Sequence, residues 1–233
     1  MRFTRKDPTM DIGILGAGEI GGTLAGLFAR AGHRVMVSSR HPESLAEAAA
    51  SGGYRTGTVD EACRFGELII AALPFNALGV IPPAPLAGKV VLDTMNYYPA
   101  RDGAIREMDA HETTTSQIVA ARLPGARIVK AFNAILSYDL PLDGRPPITS
   151  GRRALPIAGE DADAKAIAAD LHDQIEFDVV DAGGLAESWR FERAKPAYCI
   201  PFNAEELRAA LAAADRDSEL PHGSWRRQPR VGP

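Results

Sequence analysis

Six residues, Gly16-Ala17-Gly18-Glu19-Ile20-Gly21, leave few folds open to this chain. They follow a short apolar run at 12–15 that reads as a buried parallel strand. They precede a stretch in which Ile20, Leu24, Leu27, Phe28 and Ala31 recur at helical spacing. In this G-x-G-x-x-G, Gly16 allows the tight turn, Gly18 lets backbone approach a pyrophosphate, and Gly21 lets the helix lie close to the strand. Gly32 reads as the helix terminator and 35–37 as a second strand. Glycines so placed inside a βαβ unit point to a dinucleotide, its phosphates held at the helix N-terminus.

The end of the second strand selects among dinucleotides. An Asp or Glu there bonds the ribose 2′-hydroxyl of NAD and would repel a 2′-phosphate. This chain has Ser38-Ser39-Arg40. Two hydroxyls and a guanidinium suit a phosphate, so NADP(H) is expected rather than NAD(H). His41 reads as a solvated loop histidine.

Further strands are expected at 68–73, 89–93, 127–132, 155–159 and 177–180. Helices are expected after Pro42, over 117–123, over 162–174 and over 204–214, the last capped by Asn203. Residues 58–62 read as a short strand or turn entering a brief helix, and 97–112 as a long irregular loop. The alternation gives an α/β fold: a Rossmann-type, doubly wound, mostly parallel sheet with a short C-terminal helical extension. Residues 10–190 are expected to form the dinucleotide-binding domain and 191–215 the extension. Residues 1–9 are expected as a flexible leader and 216–233 as a disordered tail. In such sheets ligands bind at the strands' carboxyl ends, which brings forward Pro74, Phe75 and Asn76, then Asn96, then Asn133.

With 233 residues, 45% of them hydrophobic, the chain can bury a proper core. A net charge of -4 and no basic stripe argue against nucleic acid. No apolar run is long enough for a membrane span and no signal-peptide pattern appears, so a cytoplasmic protein is expected. Cys63 and Cys199 match no metal or redox spacing and read as buried thiols, and no metal site is expected. None of the five histidines sits beside a recognisable nucleophile. Lys130 reads equally as a structural partner or a catalytic group, and Asn96 and Asn133 equally as turn formers or ligand contacts. No catalytic residue is assigned. A homodimer is expected, because the C-terminal helix and its aromatics need burial.

Assembled, these pieces resemble the NADPH-dependent deazaflavin reductases, the NADP oxidoreductases that use coenzyme F-420. The carriers are IGILGAGEIGGTLA from residue 12, SSR at 38–40, ALP at 72–74 and VKAFN at 129–133. IAGEDADAKAIAADL at 157–171 and DAGGLAES at 181–188 extend the match. The same domain shape also serves membrane-bound eukaryotic ferric reductases. The resemblance implies NADP contacts at Ala17, Gly18, Glu19, Ile20, Ser39 and Arg40, with Leu73 and Asn96 near the nicotinamide. It implies a second ring stacked near Pro74, Phe75, Asn133 and Ala134, under the turn of Gly183, Gly184 and Leu185. Three departures stand out: Ser44 where relatives can place a basic residue, Gly184 where a proline is usual, and a divergent chain after Arg190.

The expected function is hydride transfer between NADPH and a small-molecule acceptor, a coenzyme F-420-like deazaflavin or a related flavin. The cofactors carry such chemistry, while the protein orients them and excludes water. The alternatives are an NADPH-binding redox sensor without turnover and a small-molecule carbonyl or imine reductase.

Overall fold

The computed structural model describes residues 9–221 and 223–225. The expected leader therefore falls, except for Thr9, outside the described residues. Eight strands form one sheet: β1 (Asp11–Leu15), β2 (Arg34–Ser38), β3 (Arg55–Gly57), β4 (Leu68–Ala71), β5 (Val90–Asp93), β6 (Arg127–Lys130), β7 (Ala154–Gly159) and β8 (Asp178–Asp181). Their order is β3-β2-β1-β4-β5-β6-β7-β8. All neighbours pair in parallel except β6 with β7, which are antiparallel. The helices are α1 (Glu19–Ala31), α2 (Ala46–Gly52), α3 (Val59–Phe65), α4 (Pro99–Asp102), α5 (Arg106–Asp109), α6 (Thr115–Arg122), α7 (Ala162–Gln174) and α8 (Ala204–Ala212). This is the doubly wound α/β architecture.

Strand residues alternate between two cores. Leu68, Ile70, Val90 and Leu92 face α1 and α7, while Ile69, Ala71 and Val91 face α3 and α6. Burial on both faces explains why these strands read as unbroken apolar runs. Phe28 of α1 is wholly buried in the first core, a contribution of roughly 1.5–3 kcal/mol. A third cluster joins β7, β8 and the C-terminal extension through Phe191, Tyr198, Leu207 and Leu211.

Several expected boundaries shift for local reasons. Residues 127–132 stop being strand at Lys130, because Phe132 takes a left-handed φ of 55°. The strand at 68–73 ends at Ala71, and Leu73 and Pro74 leave the sheet. Residues 58–62 are no strand. Thr58 caps α3 in a capping box with Glu61, and the edge strand is the preceding three residues. The expected loop at 97–112 carries α4 and α5, one turn each. Residues 216–221 and 223–225, expected to be disordered, pack against the extension. The Lys195 ammonium donates to the carbonyls of Asp215, Arg216 and Ser218 at 2.7–2.8 Å, and the Leu220 N–H to Ala194 O. Trp225 is buried edge-on against Tyr198.

His172 of α7 gives the fold an acid sensitivity. Its ring stacks on Phe132 at 3.8 Å, Nδ1 bonds Ala168 O, and Nε2 is buried without a partner. Burial pulls its pKa down from 6.5 to about 4. The unfolded chain then binds more protons within that window, so the neutral ring's contribution is whole above it and fades as pH falls through it. His172→Phe keeps the stack and is expected to flatten the fall in Tm between about pH 7 and about pH 5. An equal fall in both proteins would place the acid sensitivity elsewhere.

Candidate functional site

The glycine loop has the geometry its spacing predicts. Gly16 has a φ of 106°, and a Cβ there would lie 2.6 Å from Ala72 O. A Cβ on Gly21 would lie 2.0 Å from Gly16 O, so the helix can approach the loop only with glycine at that position. Gly18 differs: beyond its chain neighbours, no atom of the described residues lies within 4 Å of a Cβ built on it. Packing therefore does not require glycine at 18, whereas a ligand lying against the backbone would. Gly18 is the N-cap of α1, and no side chain caps the helix. The first-turn N–H groups of Glu19, Ile20 and Gly21 have no acceptor among the described residues, which leaves a helix terminus ready for an anion.

Two hollows meet at this loop. A groove of about 590 Å³ runs past Gly16, Ala17 and Gly18 to Ser38, Ser39 and Arg40. A cleft of about 350 Å³ runs the other way, past Glu19 and Ile20 to Asn96 and Asn133. Gly18, Ala72, Leu73 and Pro74 line both, so the two form one trough across the carboxyl ends of β1, β2, β4, β5 and β6. Each volume lies in the range of small-molecule sites.

The three residues after β2 divide their work. Ser38 is buried, and its hydroxyl accepts from the Gly16 N–H at 3.1 Å, so it holds the glycine loop instead of facing a ribose. Ser39 Oγ accepts from the His41 N–H at 3.0 Å and keeps its own proton for a ligand. Arg40 is exposed, is the one cation lining the groove, and makes no ion pair among the described residues. His41 is exposed beside Glu43, and its carbonyl accepts from Ser44.

In the cleft the two candidate asparagines hold each other. Asn96 Nδ2 donates to Asn133 O at 2.9 Å, and Asn133 Nδ2 donates to Asn96 Oδ1 and to Phe191 O. Asn133 Oδ1 is buried and has no partner among the described residues. Beneath them lies a buried ion pair, Lys130 with Asp93 at 3.1 Å. Asp93 Oδ1 accepts from the Met95 N–H, and the Lys130 ammonium donates to Met95 O and Thr115 Oγ1. Both charges thus grip the peptide next to Asn96. Of the two readings of Lys130, the structure supports the structural partner.

The far wall of the cleft consists of residues that no motif announced: Tyr98, Arg101, Ser137, Tyr198 and Cys199. Tyr98 Oη and Tyr198 Oη are 2.5 Å apart. Arg101 donates to Asn96 O and pairs with Asp102 at 2.7 Å. Burial pushes the Asp102 carboxyl up, but the Arg101 guanidinium and the Tyr98 N–H outweigh it and hold the group below the usual carboxylate range. At the cleft mouth Ser137 donates to the Glu19 carboxylate at 2.6 Å. Burial pushes the Cys199 thiol up to about 12 and that of Cys63 to about 11, so neither is a ready nucleophile.

Beyond the glycine loop, four candidates lie outside the trough. Phe75 turns into the core and packs edge-on against Tyr97 at 6.2 Å. Ala134 is buried in the third cluster. Gly183 and Leu185 follow β8, which runs opposite to β1–β6 because β7 reverses against β6. Their turn is held by Glu160, whose carboxylate accepts from the Leu185 N–H at 2.9 Å and lies 2.8 Å from a Cβ built on Gly184.

Strand order, glycine loop and trough define a Rossmann-type dinucleotide-binding protein. Residues 11–97 match the family described as NADP oxidoreductase, coenzyme F420-dependent. The metalloreductase STEAP3 of Rattus norvegicus is 28% identical over 197 residues, covering 82% of this chain and 38% of that protein. This chain thus spans well under half the length of that relative. A hypothetical protein from Sinorhizobium meliloti superposes with a TM-score of 0.70 at 26% identity, over 85% of this chain and 97% of that one. A putative F420-dependent NADP-reductase from an Arthrobacter species superposes at 0.65 and 24% identity, over 77% and 87%. Among the described residues no helix is long and apolar enough to cross a membrane, and no group of three or more His, Cys, Asp or Glu could hold a metal.

Proposed function

We propose that this protein is an NADP(H)-dependent oxidoreductase that transfers hydride between NADPH and a small acceptor bound in the cleft. The observation that carries the reading is the continuous trough, with an unpaired cation at one end and polar side chains at the other. In this reading Arg40 and Ser39 hold the 2′-phosphate, and the first turn of α1 takes the pyrophosphate. Leu73, Pro74 and Asn96 flank the nicotinamide. NADPH supplies the hydride, and the protein orients the two reactants and sheds water from between them. The acceptor is a deazaflavin of the coenzyme F-420 type, a choice supported by the family match over residues 11–97. A second reading, reduction of a carbonyl or imine, draws on the paired tyrosine hydroxyls at the acceptor end.

The test is turnover of purified protein with NADPH and the deazaflavin coenzyme, with FMN, a carbonyl and imine panel, and NADH as controls. Bleaching of the deazaflavin band with NADPH and not with NADH is expected. Turnover confined to a carbonyl or imine would favour the second reading. Tight NADPH binding with no turnover of any acceptor would overturn both in favour of a sensor.

A further inference from the structure

The acceptor end of the trough holds two hydroxyls that hydride transfer itself does not use. Tyr98 and Tyr198, a hundred residues apart in sequence, bring their oxygens within 2.5 Å on the cleft wall. Both are fixed. The Tyr98 N–H donates to the Asp102 carboxylate at 2.8 Å, and the Arg101 guanidinium lies 4.9 Å from the Tyr98 ring centroid. Tyr198 is 3% exposed and packs edge-on against Trp225. Two phenols joined by one hydrogen bond have one further proton to give. When Tyr198 donates to Tyr98, that proton belongs to Tyr98, the less buried of the two.

We propose that Tyr98 is the general acid of the reaction, protonating the acceptor's heteroatom as hydride arrives, and that Tyr198 is the positioning residue that donates to it. The inference rests on the reading that NADPH reduces an acceptor in this cleft. The acceptor's electrophilic atom takes the hydride with its electron pair from NADPH, the π electrons move to the conjugated oxygen or nitrogen, and that atom takes the Tyr98 proton. NADP⁺ and the two-electron-reduced, protonated acceptor result.

The phenolate left on Tyr98 accepts from Tyr198 and lies under the Arg101 charge, and water returns its proton. Burial pushes the Tyr198 phenol well above its usual range, so it stays a donor throughout. The acceptor class follows: a C=O, C=N or ring-nitrogen system conjugated to the carbon that receives hydride. A bare metal ion, which takes up no proton, would have no use for the pair.

Tyr98→Phe and Tyr198→Phe would be assayed with NADPH and the deazaflavin coenzyme, beside two binding titrations. For Tyr98→Phe, kcat is expected to fall by about 100-fold or more, the usual worth of a general acid. Its NADPH affinity should be unchanged. Affinity of the unreactive complex with NADP⁺ for oxidised deazaflavin should drop by roughly tenfold, for one lost hydrogen bond. Tyr198→Phe should lower kcat less, again with NADPH affinity intact.

Wild-type turnover with an unchanged kcat in Tyr98→Phe would overturn the inference and leave the reductase reading standing. Equal losses of NADPH affinity and Tm in both variants would make the pair a structural clasp and likewise overturn it. Absence of turnover in the wild type, with NADPH bound, would remove the reading and the inference together.

Discussion

Replacing Arg40 by Ala is expected to weaken NADPH binding by roughly 10- to 150-fold while leaving NADH binding nearly unchanged, the worth of about 1.5–3 kcal/mol for a hydrogen bond to a charged group. An exposed ion pair between side chains would give only about 0–1 kcal/mol, because water competes and both partners lose freedom. A 2′-phosphate differs in carrying nearly two charges, being anchored by the rest of the cofactor, and accepting two parallel bonds from a guanidinium. Among the described residues Arg40 is also the one cation lining the groove, with Ser44 rather than a basic residue four positions on. No second cation among the described lining residues would mask the loss. The exposure of Arg40 argues for the lower part of the range and for a strong dependence on salt. Fluorescence titration of the wild type and the Arg40→Ala variant with both nucleotides measures the effect. Equal weakening of NADPH and NADH would mean that Arg40 supports the loop and does not read the phosphate.

Lys130→Ala is expected to destabilise the protein by about 3–5 kcal/mol, the largest effect of any single change proposed for this chain. Both members of its pair with Asp93 are fully buried. The variant would leave a carboxylate in the core with only Ser116 and the Met95 N–H to satisfy it. For a chain of this size such a loss corresponds to roughly 10 °C in Tm, a large part of a typical domain's stability. Activity should fall as well, because Lys130 and Asp93 fix the peptide that presents Asn96. Lys130→Met with Asp93→Asn removes both charges together and should recover a good part of the lost stability. Thermal melts of the single and double variants decide the point. A single variant that melts within about 2 °C of the wild type would show that the pair contributes little.

How much of this was legible in the sequence depends on how local each signal is. The glycine loop, Arg40 and the buried strands lie within one βαβ unit or one apolar run, so local pattern is enough to place them. Asn96 and Asn133 were legible as strand-end residues, but their mutual bonding was not. The strand at 55–57 is too short to show a period. The reversal of β7 against β6 leaves no mark in composition, and it is what moves Gly183 and Leu185 away from the trough. For Phe75, a strand end predicts location but not which way the side chain turns, and it turns into the core. The cleft's far wall was hidden for a different reason. Tyr98 is two residues past Asn96 and could have been suspected, whereas Tyr198 arrives from the divergent extension, where no motif guides the eye.

The measurement that tests this account most directly is a crystal structure of the protein with NADP⁺ bound. Pyrophosphate is expected against the N–H groups of Glu19, Ile20 and Gly21, the 2′-phosphate on Arg40 and Ser39, and the nicotinamide beside Leu73 and Asn96 with open cleft toward Tyr98. A cofactor seated elsewhere, such as the separate hollow where Lys195 and Arg216 flank Trp189, or a 2′-phosphate turned away from Arg40, would contradict it.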